Sequence, residues 1–360
     1  MSELKEMISE VVEKIFKENI EKETVDLLEE NQWAENVWKI LLDNELHNVA
    51  VSEANGGAGG DIEDLLTLYD LVGKYAAPVP FVEHTLANFL AEQFGITLHE
   101  GLATYSVTTA LSINGDFVSG KLVRVPWAKY AKQIVTLASD DTQTYFIVVD
   151  VKDAQLKNGT NLAAEPRANV LFNHAKVLQK VPITVKQYEQ ITKLVTAASI
   201  SKMNGALESA FHLSVQFSKE RQQFGRPIHR FQLVQQHLGI MAGEQTLMSV
   251  ATSNVQALLA EEIEQNEVAY ARLRMDDASK AVATSAHQVH AAIGVTHEHR
   301  LHHFTRRLWA WRDEEFTARY WKKKLAEQML KSNDDLWRNL TAQYEAHAHA
   351  YDGTHVSPFV

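Results

Sequence analysis

The sequence predicts a mainly α protein with a central β domain: an N-terminal helical domain, a small antiparallel β domain and a C-terminal four-helix bundle. Three observations carry this. Apolar residues recur at helical spacing over residues 1 to 100, and again from Thr184 to about Arg338. Between them, residues 101 to 185 switch to short runs rich in Val, Ile, Thr, Tyr and Phe, separated by Asn, Asp and Gly. No helical stretch divides those runs, which favours an antiparallel sheet over a doubly wound one. The boundaries fall at 1–100, 101–185 and 186–345, and the His-rich stretch 346–360 reads as a tail without fixed structure.

Each element has its own signal. The opening segment sets Leu4, Met7, Ile8, Val11, Ile15 and Ile20 on one helical face, with Glu and Lys opposite. Helical patterns follow in "TVDLLEENQWAENVWKILLDNEL" and "DIEDLLTLYDLVGKYAA", stopped by "EANGGAGG" and by Pro78 and Pro80. Strands are expected in "YSVTTALSI", "DFVSGKLVRV", "QIVTLA", "TYFIVVDV" and "ANVLFNHAKVL". In the bundle, Met203, Leu207, Ala210, Ser214 and Phe217 share a face. Val234, Leu238, Met241, Met248 and Val255 share another, and Leu273, Lys280, Thr284, His287 and Ala291 a third. Lengths of about 25 to 30 residues suit an antiparallel bundle.

Composition narrows the function. A net charge of −11 with no basic stripe argues against nucleic-acid binding. The absence of cysteine excludes disulfides, thiolate catalysis and Cys-ligated metals. No apolar run approaches the roughly 18 residues of a membrane span, and the N-terminus lacks the features of a signal or transit peptide, so a cytoplasmic protein is expected. The glycine-rich "EANGGAGGD" lacks the lysine and preceding strand of a phosphate loop and reads as an inter-helix connection. The histidines at 297, 299, 302 and 303 fail the His-Glu-x-x-His spacing and lie beside Arg306 and Arg307, so no metal is expected. Asp313, Glu314 and Glu315 follow the aromatic run "WAW". They read either as a solvated acidic patch or as the home of a general base with a raised pKa.

One stretch exceeds structural need. "ERQQFGRPIHRFQ" breaks a long helix with Gly225 and Pro227, yet a turn requires neither Arg221 nor Phe224 nor Gln232. With "QVHAAIG" further on, it resembles the FAD-dependent acyl-CoA dehydrogenase family, whose domain order matches nearly the whole chain. The resemblance implies that the turn reaches a neighbouring subunit's FAD. There Arg221 would meet the pyrophosphate, Phe224 and Ile228 the adenosine part, and Gln232 a polar group. Gln288 matches the glutamine at the adenine end. Ala291 and Ala292 stand where the family has Gly-Gly, and Gly294 keeps the last glycine. Val125 and Pro126 match the strand bordering the flavin ring, although the proline removes one N–H. The family's Thr-Glu-Pro-x-x-Gly-Ser-Asp loop has no counterpart here.

The implied reaction is α,β-desaturation of an acyl-CoA thioester, with a carboxylate as α-proton acceptor and an electron-transfer flavoprotein as oxidant of the cofactor. In one family branch the base lies nine residues after an arginine, within Glu-Gly-Thr; counted from Arg306 this is Glu315, with Phe316 in place of glycine and Thr317 retained. Glu314 and Glu298 remain alternatives. The other branch's position falls near Val195 and Thr196, which offer no carboxylate. A homotetramer is implied, or a heterotetramer with a sister subunit in which this chain is weakly catalytic or inactive.

Overall fold

The computed structural model describes residues 3–261 and 266–331. The expected tail at 346–360 and the last part of the expected bundle, 332–345, lie outside the described residues.

Five helices open the fold: α1 (Glu3–Asn19), α2 (Lys22–Asp26), α3 (Glu35–Asp43), α4 (Ile62–Tyr75) and α5 (Phe81–Gln93). The buried face of α1 is formed by Ile8, Val12, Ile15 and Phe16, an i, i+4, i+7, i+8 stripe. It is rotated from the predicted one, leaving Met7 58% and Val11 39% exposed. Helix α4 starts at a reciprocal cap, in which Asp61 accepts from the Asp64 N–H at 3.0 Å while Asp64 accepts from the Asp61 N–H at 2.9 Å.

The β domain holds six strands: β1 (Ala103–Asn114), β2 (Phe117–Pro126), β3 (Gln133–Ser139), β4 (Thr144–Asp150), β5 (Ala154–Thr160) and β6 (Pro166–Ile183). Their order is β2-β1-β3-β4-β6-β5, and a further β2–β6 pairing closes the sheet on itself. The antiparallel expectation needs correcting at one ladder, because β1 and β3 run parallel. The reason is connectivity. β2 leaves β1 by a hairpin and pairs across to β6, so the chain re-enters on the far side of β1 in the same direction. β5 escaped the sequence reading because "AQLKNGT" lies on the surface and carries little apolar signal. β6 spans 18 residues and pairs with β2 and β5 through its first half and with β4 through its second.

The C-terminal part comprises α6 (Val185–Glu220), α7 (Gln232–Ala260), α8 (Glu267–His290), α9 (Leu301–Arg312) and α10 (Ala318–Lys331). The predicted faces of α6 and α7 are inward: Met203, Leu207, Ala210, Ser214, Met241, Met248 and Val255 are buried. The predicted face of α8 points outward at Lys280 and Thr284. Its core stripe is Ala271, Met275, Ala278, Val282 and Ala286. Small residues fooled the pattern there, since alanine carries almost no hydropathy contrast. Helices α4 and α6 cross with their backbones in contact. A Cβ on Gly73 would lie 1.7 Å from the Lys202 carbonyl oxygen, and one on Gly205 would lie 1.9 Å from that of Asp70. Only glycine permits this approach, and it fixes the depth at which α6 presents Lys202 to the interior.

Candidate active site

A cavity of about 210 Å³ opens where β1, β2, α5, α6 and the segment after α9 meet. Glu315, Glu314, Val125, Pro126, Tyr105 and Lys202 are among its lining residues. The structure thus brings three of the predicted positions, Val125, Pro126 and Glu315, into one space.

Glu315 follows the end of α9 with φ +51. A non-glycine residue in that region stores on the order of 1–3 kcal/mol of strain, which persists only where the surroundings impose it. Its side chain is open to the cavity, yet protein encloses the carboxyl. This desolvation pushes its pKa up to about 7, with the Lys202 ammonium opposing and the Glu314 charge adding to the rise. The Tyr105 hydroxyl donates to Oε2 at 3.4 Å. The neighbour behaves oppositely. Burial would raise the Glu314 pKa, but Arg167 outweighs it and holds the group below its ordinary value. Arg167 donates through Nε and Nη2 at 3.0 and 2.7 Å, a bidentate clamp. Arg124 and Asn161 donate to the same carboxylate at 3.2 and 3.1 Å. Glu298 is exposed and outside the cavity. Two adjacent carboxylates therefore have separated proton affinities, the arrangement from which acid–base roles are read.

Behind the cavity, Glu165 anchors a buried network. It accepts from Arg167, Asn161 and the Trp311 indole N–H at 3.1, 2.9 and 2.8 Å, and pairs with Arg307 at 3.2 Å. Burial opposes its charge, yet Arg307 and Arg167 bring its pKa down to about 2. Lys202 sits with its ammonium 4.8 Å from the centroid of the Trp311 ring. Of the aromatics expected near Glu315, Phe316 lines the cavity and Trp311 lies beneath it, while Trp309 stacks with Arg312. Tyr105, Glu165, Arg167 and Lys202 were not found from sequence. Their available signal was a charge inside an otherwise small or apolar run, as in "TAASISKMNGA".

The second group of predicted residues lies on the surface. Arg221 ends α6, and its carbonyl accepts from the Ile228 N–H at 2.9 Å. Gln222–Gln223 pair with Arg226–Pro227 in a tight hairpin whose central residues, Phe224 and Gly225, have φ +51 and +76. Two positive φ values are what a primed two-residue turn demands. Arg221, Phe224, Gln232 and Gln288 are all exposed, Phe224 at 91%. Ile228 differs from expectation: its side chain is buried in this chain's own core and anchors the turn, so it offers no free apolar surface. Phe217 stacks on His290 at 4.4 Å and joins the turn to the end of α8. There Ala291 adopts φ +51, a glycine-like conformation held despite its Cβ, and Ala292 is exposed. Gly294 is required, since a Cβ would lie 2.8 Å from that of His290. Thr317 accepts from the Trp321 N–H at 3.3 Å at the start of α10.

The residues fit FAD unevenly. Exposed Arg221, Phe224 and Gln288 have the donor and aromatic chemistry a dinucleotide uses. Pro126 fits less well, because its nitrogen cannot donate and its carbonyl already accepts from Thr104 at 2.6 Å. Asp26, His302 and His303 form a separate cluster of metal-ligand types. In it Asp26 already takes bonds from Lys22 at 2.5 Å and shares one with His303 at 2.7 Å.

Residues 195–312 match the family model described as acyl-CoA dehydrogenase, C-terminal domain. The chain is 25% identical over 320 residues to acyl-CoA dehydrogenase IpdE2 of Mycolicibacterium smegmatis, covering 85% of this chain and 93% of that protein. It is 27% identical over 279 residues to acyl-CoA dehydrogenase FadE34 of Mycobacterium tuberculosis, covering 73% of this chain and 37% of that one. Among solved structures, the ChsE4-ChsE5 complex from Mycobacterium tuberculosis superposes with a TM-score of 0.84 at 19% identity, over 93% of this chain and 99% of the other. A glutaryl-coenzyme A dehydrogenase in complex with glutaryl-CoA superposes with 0.81 at 17%, over 92% and 96%. Residues 195–312 thus match the acyl-CoA dehydrogenase C-terminal domain, and the chain as a whole shares its fold with solved structures of acyl-CoA dehydrogenases and about a quarter of its residues with proteins named acyl-CoA dehydrogenases.

Proposed function

We propose that the chain is an FAD-dependent acyl-CoA dehydrogenase that desaturates an acyl thioester between its α and β carbons, with Glu315 as the α-proton acceptor. The observation that carries this is the split between the paired carboxylates. Arg167 keeps Glu314 charged and engaged, while Glu315 is open to the cavity with a pKa of about 7. A base of that strength is half deprotonated near neutrality and accepts a proton more readily than an ordinary carboxylate. The Tyr105 hydroxyl donates to its Oε2, and Phe316 adds an apolar wall to the cavity. FAD, when bound, supplies the acceptor for the β-hydrogen and its electron pair. Arg221, Phe224, Gln232, Gln288, Ala292 and Thr317 are the side chains assigned to hold it, the turn serving a neighbouring subunit's site in a tetramer. An electron-transfer flavoprotein would take the electrons onward. Glu315→Gln keeps the side chain's size, and flavin reduction by acyl-CoA should then fall by about 10²–10⁴-fold. An unchanged rate would remove Glu315 from the role.

A second reading is that of a weakly catalytic subunit in a heteromeric dehydrogenase. The crowding of Arg124, Arg167 and Glu314 around the cavity favours it, and so does the likeness to a complex of two named components. Co-purification with a sister chain, and activity only in its presence, would select this reading.

A further inference from the structure

Within the cavity, one pair of charges has no structural task of its own. Lys202 is 7% exposed and Glu83 6%, and both line the same space as Glu315. The Lys202 ammonium has no hydrogen bond or ion pair among the described residues; its recorded contact is the face of Trp311 at 4.8 Å. The Glu83 carboxylate likewise takes no side-chain hydrogen bond there. The other charges around the cavity are engaged: Arg167 and Arg124 on Glu314, and Arg307 on Glu165. A desolvated ammonium and a desolvated carboxylate facing one cavity are costly when nothing polar lies between them. A hydrocarbon acyl chain would leave both in that condition. A second full negative charge is also disfavoured, since Glu83, Glu314 and Glu315 already line the space. A neutral oxygen meets the requirement: it accepts from Lys202 and, as a hydroxyl, donates to Glu83.

We propose that Lys202 and Glu83 are specificity-determining residues that select an acyl thioester bearing a keto or hydroxyl oxygen on its acyl part. This rests on the reading of the cavity as an acyl pocket. A plain charge-balancing role for Lys202 would give no preference between substrates, which makes the two separable.

The test uses two chain-matched pairs, 5-oxohexanoyl-CoA with hexanoyl-CoA and 4-oxopentanoyl-CoA with pentanoyl-CoA. Each is titrated calorimetrically into the flavin-loaded protein and followed for flavin bleaching. The expected result is tighter binding of at least one oxo compound by about tenfold or more, the worth of a hydrogen bond to a charged donor. Lys202→Met should abolish that preference, read as the ratio of oxo to plain affinity within the variant, since Lys202 also acts on the Glu315 charge. Glu83→Gln is a second, isosteric variant, and it should reduce any preference for the corresponding 5-hydroxyhexanoyl-CoA. Equal binding of oxo and plain compounds, a preference that survives Lys202→Met, or binding of neither would overturn the proposal. The dehydrogenase reading is judged separately by bleaching. Bleaching by all four compounds without preference sinks the specificity alone; an oxo preference in binding without bleaching sinks the catalytic reading alone.

Discussion

The surface turn at 221–232 and the inner cavity around Glu315 use charge in opposite ways. In the turn, Arg221, Phe224 and Gln232 are exposed, and the structure of this chain gives them little to do. Only the backbone of Phe224 and Gly225 and the buried Ile228 are needed to hold the hairpin. In the cavity Arg124 and Arg167 are engaged on Glu314, Lys202 and Glu83 alone lack such a partner among the described residues, and burial and neighbouring charges set the proton affinities of Glu314 and Glu315. Side chains without an internal partner point to a ligand or a second chain. Side chains with many partners point to electrostatic tuning.

The largest expected effect strikes the cavity. Glu315→Gln should abolish most flavin reduction while Glu314→Gln, which loosens the Arg167 clamp, should act mainly on stability. Equal kinetic losses in the two would break the distinction between base and engaged neighbour. Next, Arg167→Met should leave Glu165 and Glu314 short of a partner in a buried network, at a cost of about 3–5 kcal/mol, read as a lower midpoint in urea. A loss under about 1 kcal/mol would mean that Arg307 and Asn161 suffice.

The turn should respond in the contrary sense. Arg221→Ala and Phe224→Ser should change stability by less than about 0.5 kcal/mol, as exposed positions do, while FAD content drops. A variant that unfolds would show that the turn supports its own chain. Full flavin occupancy would show that these side chains do not hold the cofactor.

The smallest effect is graded and concerns pH. Burial lowers the pKa of His84 to about 3, and of His290 and His302 to about 4. The unfolded chain therefore binds protons more readily on these groups, and stability falls as pH drops below the ordinary histidine value. Glu165, held at about 2, has the same sign: its contribution is present above the ordinary carboxylate value and is lost toward its folded pKa. Glu315 has the reverse sign, because its raised pKa makes the folded state retain its proton, so this group's contribution declines as pH rises toward and through about 7. The thermal midpoint should fall in acid, and Glu315→Gln should remove only the opposing decline that runs from the ordinary carboxylate value up to about 7. The flavin-reduction rate should rise with pH around 7 in the wild type and lose that dependence in the variant.

What the sequence determined by itself was local or carried by a contiguous motif. Helix and strand periods, the stop at Pro78 and Pro80, and the α, β, α order are written in neighbouring residues. So is the break in the helix at Gly225 and Pro227, whereas the hairpin that holds Phe224 at φ +51 is not. Glu315 was legible only as a register from Arg306, with Glu314 beside it as an equal candidate on local grounds. Tertiary structure alone decided the rest. Arg167, from β6, meets Glu314 from the end of α9, 147 residues away. Lys202 reaches the cavity because Gly73 and Gly205 let α4 and α6 touch. The parallel β1–β3 ladder depends on where β2 finds its partner. Periodicity reports which side of an element avoids water. It does not report which charge, distant in sequence, will be brought against it, and electrostatic tuning is a property of those distant pairs.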